Sequence, residues 1–401
     1  MADNGFGFIG HTNFDFSNHC VSMLTKTAIR ILQHEKRKYL GVIIGVTMAV
    51  FLVLLQSAFY FGFRRDITVV ADSFDADLWI SQREFLAFDY VSHFDDLPRW
   101  QTLGDADVAA AMPVIVEWSR IRRLSDGATE DSQIVGLDLT AGVKVNLGTD
   151  ENLDLNSLLA MPGNVLVDEK HLFRLGEKRL GENGIEIRGL NANVVGEMRG
   201  KKLFSTACLV VTDLDNARRF LGLKANQITF VAIKCRPGAD ARAVQARLQK
   251  RLPEYHVWTA AGFHDLTQNY WVKLTGIGPV LWLSAGLAAL VGFLTVFLTF
   301  SHLTEEKFPV YAAMKAMGAS TAELSGMVLL QIGIVFGIGC ALAVAGMVVA
   351  LFALSHTTIS VVLTPGVALA GIGFMALCSL VAGLRALHKL ALLEPAEAFK
   401  T

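Results

Sequence analysis

LSGMVLLQIGIVFGIGCALAVAGMVVALFALSHTTISVVLTPGVALAGIGFMALCSLVAGL, residues 324–384, is a run of 61 positions without an Asp, Glu, Lys or Arg. A bilayer core of ~30 Å is crossed by about 20 helical residues. A single helix over this run would measure ~90 Å at 1.5 Å per residue, so the chain has to turn inside it. The polar break Ser355-His356-Thr357-Thr358 and the restart Thr364-Pro365-Gly366 place that turn. The run divides into spans at about 324–352 and 364–384. Two further charge-free windows, Tyr39 to Phe63 (25 residues) and Leu274 to Thr304 (31 residues), each hold one crossing. The fold class is therefore membrane α-helical with four transmembrane helices.

Composition agrees. Hydrophobic residues make up 52% of the 401 positions and charged residues 18%, against roughly 25% charged in soluble proteins. The formal net charge of −1 excludes the overall basic field of a nucleic-acid binder. Five cysteines without close spacing exclude a Cys-rich zinc module and a small disulfide scaffold.

An even number of crossings puts both termini on one side. Lys26, Arg30, Lys36, Arg37 and Lys38 precede the first span, Lys307 and Lys315 lie between the second and third, and Arg385, Lys389 and Lys400 follow the last. The stretch 353–363 has no basic residue, so the positive-inside rule assigns the termini and the 2–3 segment to the cytoplasm. Arg64 and Arg65 fall on the opposite side and are outnumbered. The resulting plan is a cytoplasmic tail and amphipathic entry helix at 1–38, transmembrane helix 1 at 39–63, an extracytoplasmic domain at 64–272 and transmembrane helix 2 at 274–302. A cytoplasmic coupling segment follows at 303–322, then helix 3 at 323–352, an external loop at 353–363, helix 4 at 364–384 and the C-terminus at 385–401. The first span starts too late and is too long for a cleaved signal peptide.

The insertion between the first two spans, ~205 residues, carries most of the basic residues and reads as a water-soluble α+β domain in two lobes. Strand-like runs recur at 77–80, 114–118, 133–136, 164–167, 184–188 and 208–212. The segment 228–259 reads as a βαβ unit, bounded by Pro237-Gly238 and Pro253. Cys208 and Cys235 share this domain, on the oxidising side, and could pair.

No catalytic, cofactor or metal site emerges. Gly5-Phe6-Gly7-Phe8-Ile9-Gly10 matches a dinucleotide fingerprint by letter, but no strand precedes it. There is no P-loop, no HExxH and no paired-Cys spacing, and His302, His356 and His388 stand alone. Gly41 with Gly45 and Gly333 with Gly337 suit close helix packing in lipid, as do Gly371 and Gly373. Gln331 is suited to a hydrogen bond within the bundle. The stretches 39–63, 274–302, 324–352 and 364–384 contain no Asp, Glu, Lys or Arg, groups that an ion-coupled carrier needs at membrane depth. Energy is expected from elsewhere.

The most informative segment is Glu305-Glu306-Lys307-Phe308-Pro309-Val310-Tyr311-Ala312-Ala313-Met314-Lys315-Ala316-Met317-Gly318-Ala319-Ser320. It predicts a short helix stopped by Gly318, with Ser320 and Glu323 forming the capping box of the next. Such a helix suits docking of a partner. Lys315-Ala316-Met317-Gly318-Ala319-Ser320 resembles the second half of the signature of FtsX-like, MacB-type ABC transporter permeases, and Pro395-Ala396-Glu397-Ala398 is similar to that family's closing motif. Phe308-Pro309-Val310 departs from the usual Glu-Ile-Gly. The layout looks closest to the stand-alone DevC-like members.

The resemblance implies a MacB-type (type VII) permease architecture in the bacterial inner membrane, with the large domain in the periplasm. It further implies a homodimer embedded in lipid, working with a separate ABC ATPase that binds ATP and Mg, and mechanical transmission of ATPase motion for efflux. A periplasmic adaptor and an outer-membrane channel are the further partners it implies; nucleic acid is not among them. The coupling residues it points to are Glu305, Glu306, Lys307, Tyr311, Met314, Lys315, Met317, Gly318, Ala319 and Ser320. Extraction of lipoproteins or lipids, and regulation of a cell-wall hydrolase, remain the alternatives.

Overall fold

A computed structural model describes residues 36–90, 92–150, 154–175, 184–205, 207–355, 357 and 361–391. Most of the entry helix and the whole C-terminal motif Pro395, Ala396, Glu397 and Ala398 lie outside the described residues. Among these residues, four helices are long and apolar enough to cross a membrane: Tyr39–Thr68, Ile277–Glu306, Thr321–Leu354 and Pro365–Leu384.

Along the chain, α1 (Lys36–Thr68) is followed by β1 (Leu78–Gln82), β2 (Phe94–Asp95), α2 (Leu97–Leu103), β3 (Val108–Arg123) and β4 (Thr129–Leu137). Next come α3 (Leu155–Ala160), β5 (Asn164–Asp168), α4 (Glu169–Arg174), β6 (Ile185–Ile187), β7 (Leu190–Met198), β8 (Cys208–Asp213) and α5 (Leu214–Leu221). Then β9 (Gln227–Ile228), β10 (Phe230–Cys235), α6 (Ala241–Arg251), β11 (Tyr255–Thr259) and α7 (Ala260–Asn269) lead into a π-helical turn, Tyr270–Leu274. The chain closes with α8 (Ile277–Glu306), α9 (Phe308–Ala316), α10 (Thr321–Ser355) and α11 (Pro365–Ala391). Contacts group these elements into a membrane unit (1–57, 285–349 and 364–401) and a polar unit (58–284 and 350–363).

The polar unit is built on one sheet of order β11-β1-β10-β3-β4-β8-β5-β7-β6, in which β6 also pairs with β3. That extra pairing closes β3, β4, β8, β5, β7 and β6 into a six-stranded ring. The 16-residue β3 serves both halves: Val108 to Val114 pair with β10, and Ile121 to Arg123 pair with β6. The other half, β11-β1-β10-β3, is antiparallel throughout, with helices joining β1 to β3 and β10 to β11. This is the split βαβ arrangement, with the ring inserted between its second and third strands. The βαβ unit read at 228–259 is present as β10, α6 and β11, and β1 lies between its two strands. Periodicity reveals a strand and says nothing of its partner.

Side chains alternate across the strands and separate the cores. Leu78 and Ile80 of β1 join Val231, Ile233, Val244, Leu248 and Val257 under α6. Trp79, on the opposite face, stacks on Phe263 with ring centroids 4.8 Å apart. In the ring, Val210 of β8 packs with Ile134, Val165, Ile187 and Phe220. Cys208 and Cys235 are buried in separate clusters and form no bridge with each other, so the pairing admitted above is corrected. Shared compartment does not bring two strands' side chains to one face.

Arg64, the exception to the positive-inside rule, has a structural task. Its guanidinium donates to Gln268 Oε1 at 2.6 and 3.1 Å, and Gln268 Nε2 donates back to the Arg64 carbonyl at 3.2 Å. The end of α1 and the end of α7 are thereby clipped together.

In the membrane unit, glycines set the close approaches, though not mainly those singled out from the sequence. A Cβ on Gly45 would lie 3.4 Å from Thr295 Cγ2, whereas one on Gly41, Gly333 or Gly337 would meet nothing within 4 Å. Gly371, also singled out, does make a tight crossing (3.1 Å from Leu54 Cδ2), and the others fall at Gly339, where a Cβ would sit 2.7 Å from Val46 Cγ1, and at Gly383 (2.9 Å from Ile332 Cδ1). Spacing along one helix does not say which face meets a neighbour.

Candidate coupling helix

Lys307 ends α8 and begins α9. Its N–H donates to the Thr304 carbonyl at 3.1 Å, and Phe308 and Pro309 open α9, where proline is tolerated because its missing N–H needs no partner. The Lys307 side chain turns inward, 4% exposed, with Nζ 5.2 Å from the Tyr39 ring centroid, a cation–π approach.

The helix stops on a Schellman motif. Gly318 adopts φ +100°, its N–H donates to the Lys315 carbonyl at 3.1 Å, and the Ala319 N–H donates to the Met314 carbonyl at 3.0 Å. Two residues later α10 starts on a capping box. The Ser320 N–H donates to Glu323 Oε2 at 2.9 Å and the Glu323 N–H donates to Ser320 Oγ at 3.2 Å. These two motifs, both local in sequence, fix the chain direction on either side of Ala319.

Tyr311 and Ala312 are buried, and the Tyr311 hydroxyl donates to Gln331 Oε1 of α10 at 3.3 Å. The same carboxamide leaves Nε2 buried with no hydrogen-bond partner among the described residues. Gln331 therefore does bond within the bundle, and its partner is the short helix. Met314, Lys315 and Ala319 are half-buried, while Glu305, Glu306, Gly318 and Ser320 are exposed.

What remains outward is an apolar stripe: Pro309, Val310, Ala313, Ala316 and Met317, the last 80% exposed. Of the coupling candidates, Lys307 and Tyr311 are thus turned away from this surface and act as its support. Pro309, Val310, Ala313 and Ala316 were not among the candidates. Their i, i+4, i+7 spacing was the available signal, but small residues give little contrast in a segment apolar on both faces.

The chain matches the family model described as MacB-like periplasmic core domain over residues 39–251 and that of the FtsX-like permease C-terminal over residues 282–395. No curated protein matches it. Among solved structures, the periplasmic region of MacB from Actinobacillus actinomycetemcomitans aligns at 9% identity and a TM-score of 0.37, covering 51% of this chain and 96% of that one. The extracellular domain of the ABC-type transporter YknZ from Gram-positive bacteria aligns at 13% identity and a TM-score of 0.34, covering 46% and 99%. With one family model spanning more than half of its length, the chain belongs to the MacB-like, FtsX-type ABC transporter permeases and is a multi-pass membrane protein.

Proposed function

We propose that this permease is a lever driven from the cytoplasmic side by a separate ABC ATPase, which seats on α9 and supplies ATP and Mg chemistry absent from these residues. Two copies of the chain pass the motion to their polar units outside the inner membrane, where a substrate is expelled with the help of a periplasmic adaptor and an outer-membrane channel. The single observation carrying this reading is the exposed stripe Pro309, Val310, Ala313, Ala316 and Met317, held rigidly from behind by Tyr311 and Gln331. An exposed apolar helix face fits a hydrophobic groove on a partner. The absence of Asp, Glu, Lys and Arg from the interior of the spans, at 39–63, 274–302, 324–352 and 364–384, favours external power over ion coupling.

Co-purification with candidate ATPases tests it. The wild-type chain should retain one ATPase and alter its hydrolysis rate. Ala313→Asp and Met317→Asp should each weaken that complex at least tenfold while the chain stays folded by circular dichroism. A complex unaffected by both substitutions would remove α9 as the docking element.

A further inference from the structure

Asp89 lies far along the chain from the coupling helix, in the turn between β1 and β2, and is only 4% exposed. Its carboxylate accepts from Gln133 Nε2 of β4 at 2.6 Å and from Trp271 Nε1 at 3.0 Å, through different oxygens. Its backbone carbonyl accepts from Trp118 Nε1 of β3 at 3.0 Å. Two strands of the ring and the π-helical turn thus converge on one acid. That turn leads straight into α8 through Gly276, at φ +78°. Trp271 also packs on Phe204, with ring centroids 4.3 Å apart, and on Tyr90 at 5.9 Å.

Among the described residues, no cation forms an ion pair with the buried charge. Alternate residues share a strand face, so Arg120 and Asp131 accompany Trp118 and Gln133, and they pair with each other at 3.3 Å. From the neighbouring turns come Tyr90, Tyr270 and Lys273. None of these exerts a charge effect on Asp89. Burial dominates and pushes its carboxyl up to about 6, against the lowering pull of the Gln133 and Trp271 hydrogen bonds.

Gln133 shows how the neutral acid is accommodated. Its Oε1 is buried with no hydrogen-bond partner among the described residues. If the amide turns over, that oxygen can accept from a protonated Asp89, so the pocket holds an arrangement for each protonation state.

We propose that Asp89 is a proton-operated latch: ionised, it ties the π-helical turn ahead of α8 to the ring through Trp271, and on taking one proton from solvent at the oxygen facing Gln133 it turns that amide over and loosens the tie. The bond to Trp271 then passes from a charge-assisted one to a neutral one, roughly half as strong. This inference is independent of the ATPase reading.

The test is hydrogen–deuterium exchange of residues 270–276 in the full-length chain in nanodiscs, from pH 7.5 to 5, corrected for intrinsic exchange. Protection in the wild type should fall about fivefold, with a midpoint near pH 6. Asp89→Asn should show the low protection at every pH. Trp271→Phe, which leaves the acid in place, should likewise be weakly protected at both ends and lose the step. A wild-type profile flat with pH would overturn the latch, as would a step that persists in Asp89→Asn or in Trp271→Phe.

Discussion

Replacing Gly339 by alanine gives the sharpest check on how the membrane unit packs. The new methyl would stand 2.7 Å from Val46 Cγ1, 3.0 Å from Val46 Cβ and 3.4 Å from the Thr47 nitrogen. Carbon pairs settle at about 3.5–4.0 Å, so α1 and α10 must part by roughly 1 Å or Val46 must leave its rotamer. The second route is closed, because a β-branched residue in a helix has one strongly preferred χ1. Overpacking of this kind costs ~1–3 kcal/mol, while alanine returns ~1 kcal/mol of helix propensity over glycine. Gly333→Ala supplies the control: it carries the same propensity gain and its methyl meets nothing within 4 Å. The propensity contribution cancels between the two variants, leaving Gly339→Ala less stable than Gly333→Ala by ~1–3 kcal/mol. Unfolding of the purified chain by SDS in mixed micelles, followed by circular dichroism, measures the difference. Val46→Ala added to Gly339→Ala should relieve part of the cost and yield a coupling energy of about 1–3 kcal/mol. Equal stability of the two glycine variants, within ~0.5 kcal/mol, would refute this packing of α1 on α10.

Three further outcomes are expected. Gly136→Ala drives a methyl into Ala217 Cβ; α5 must lift from β4, lowering stability by ~1–3 kcal/mol in a thermal melt. Tyr311→Phe removes the only hydrogen bond recorded for the Gln331 side chain among the described residues, costing about 1–3 kcal/mol and raising amide exchange over 308–316. Asp89 imposes an unusual pH dependence. Its carboxyl is raised from 3.8 to about 6, so the folded state holds its proton more tightly than the unfolded chain. Global unfolding exposes the acid, unlike the local latch, in which Asp89 stays buried. Its contribution to overall stability is therefore fully present below pH 4 and is lost as pH rises through 6, a change of ~3 kcal/mol at 1.36 kcal/mol per unit. Asp89→Asn should flatten that part of the stability profile. The opposite sign belongs to Asp105, whose carboxyl is held low by its hydrogen bond to Arg247 and contributes above the ordinary carboxylate range.

Family and membrane character were legible because their signals are local or compositional. Three charge-free windows measured against a bilayer, one of them long enough for two spans, are enough to count the crossings, and Lys315 to Ser320 carry the family signature within six residues. The stop at Gly318 and the start at Ser320 were equally readable, since a Schellman motif and a capping box involve no residue more than five positions away.

Everything that depends on which distant residue faces which was decided by the tertiary structure alone. The letters of α9 do not say that Tyr311 points to Gln331 and leaves Ala313 and Met317 outward; that follows from where α10 packs. Nor does the repeat of glycines separate Gly333, beside open space, from Gly339, beside Val46. Asp89 reads as an ordinary turn residue, and only Gln133 and Trp271, the latter 182 positions away, make it a buried acid. The sequence by itself determined the elements, their membrane character and their ends, because hydrophobic periodicity, caps and span length act within a few turns of chain. Strand order, ring closure and burial of single polar groups arise from packing between segments far apart, which no local pattern encodes.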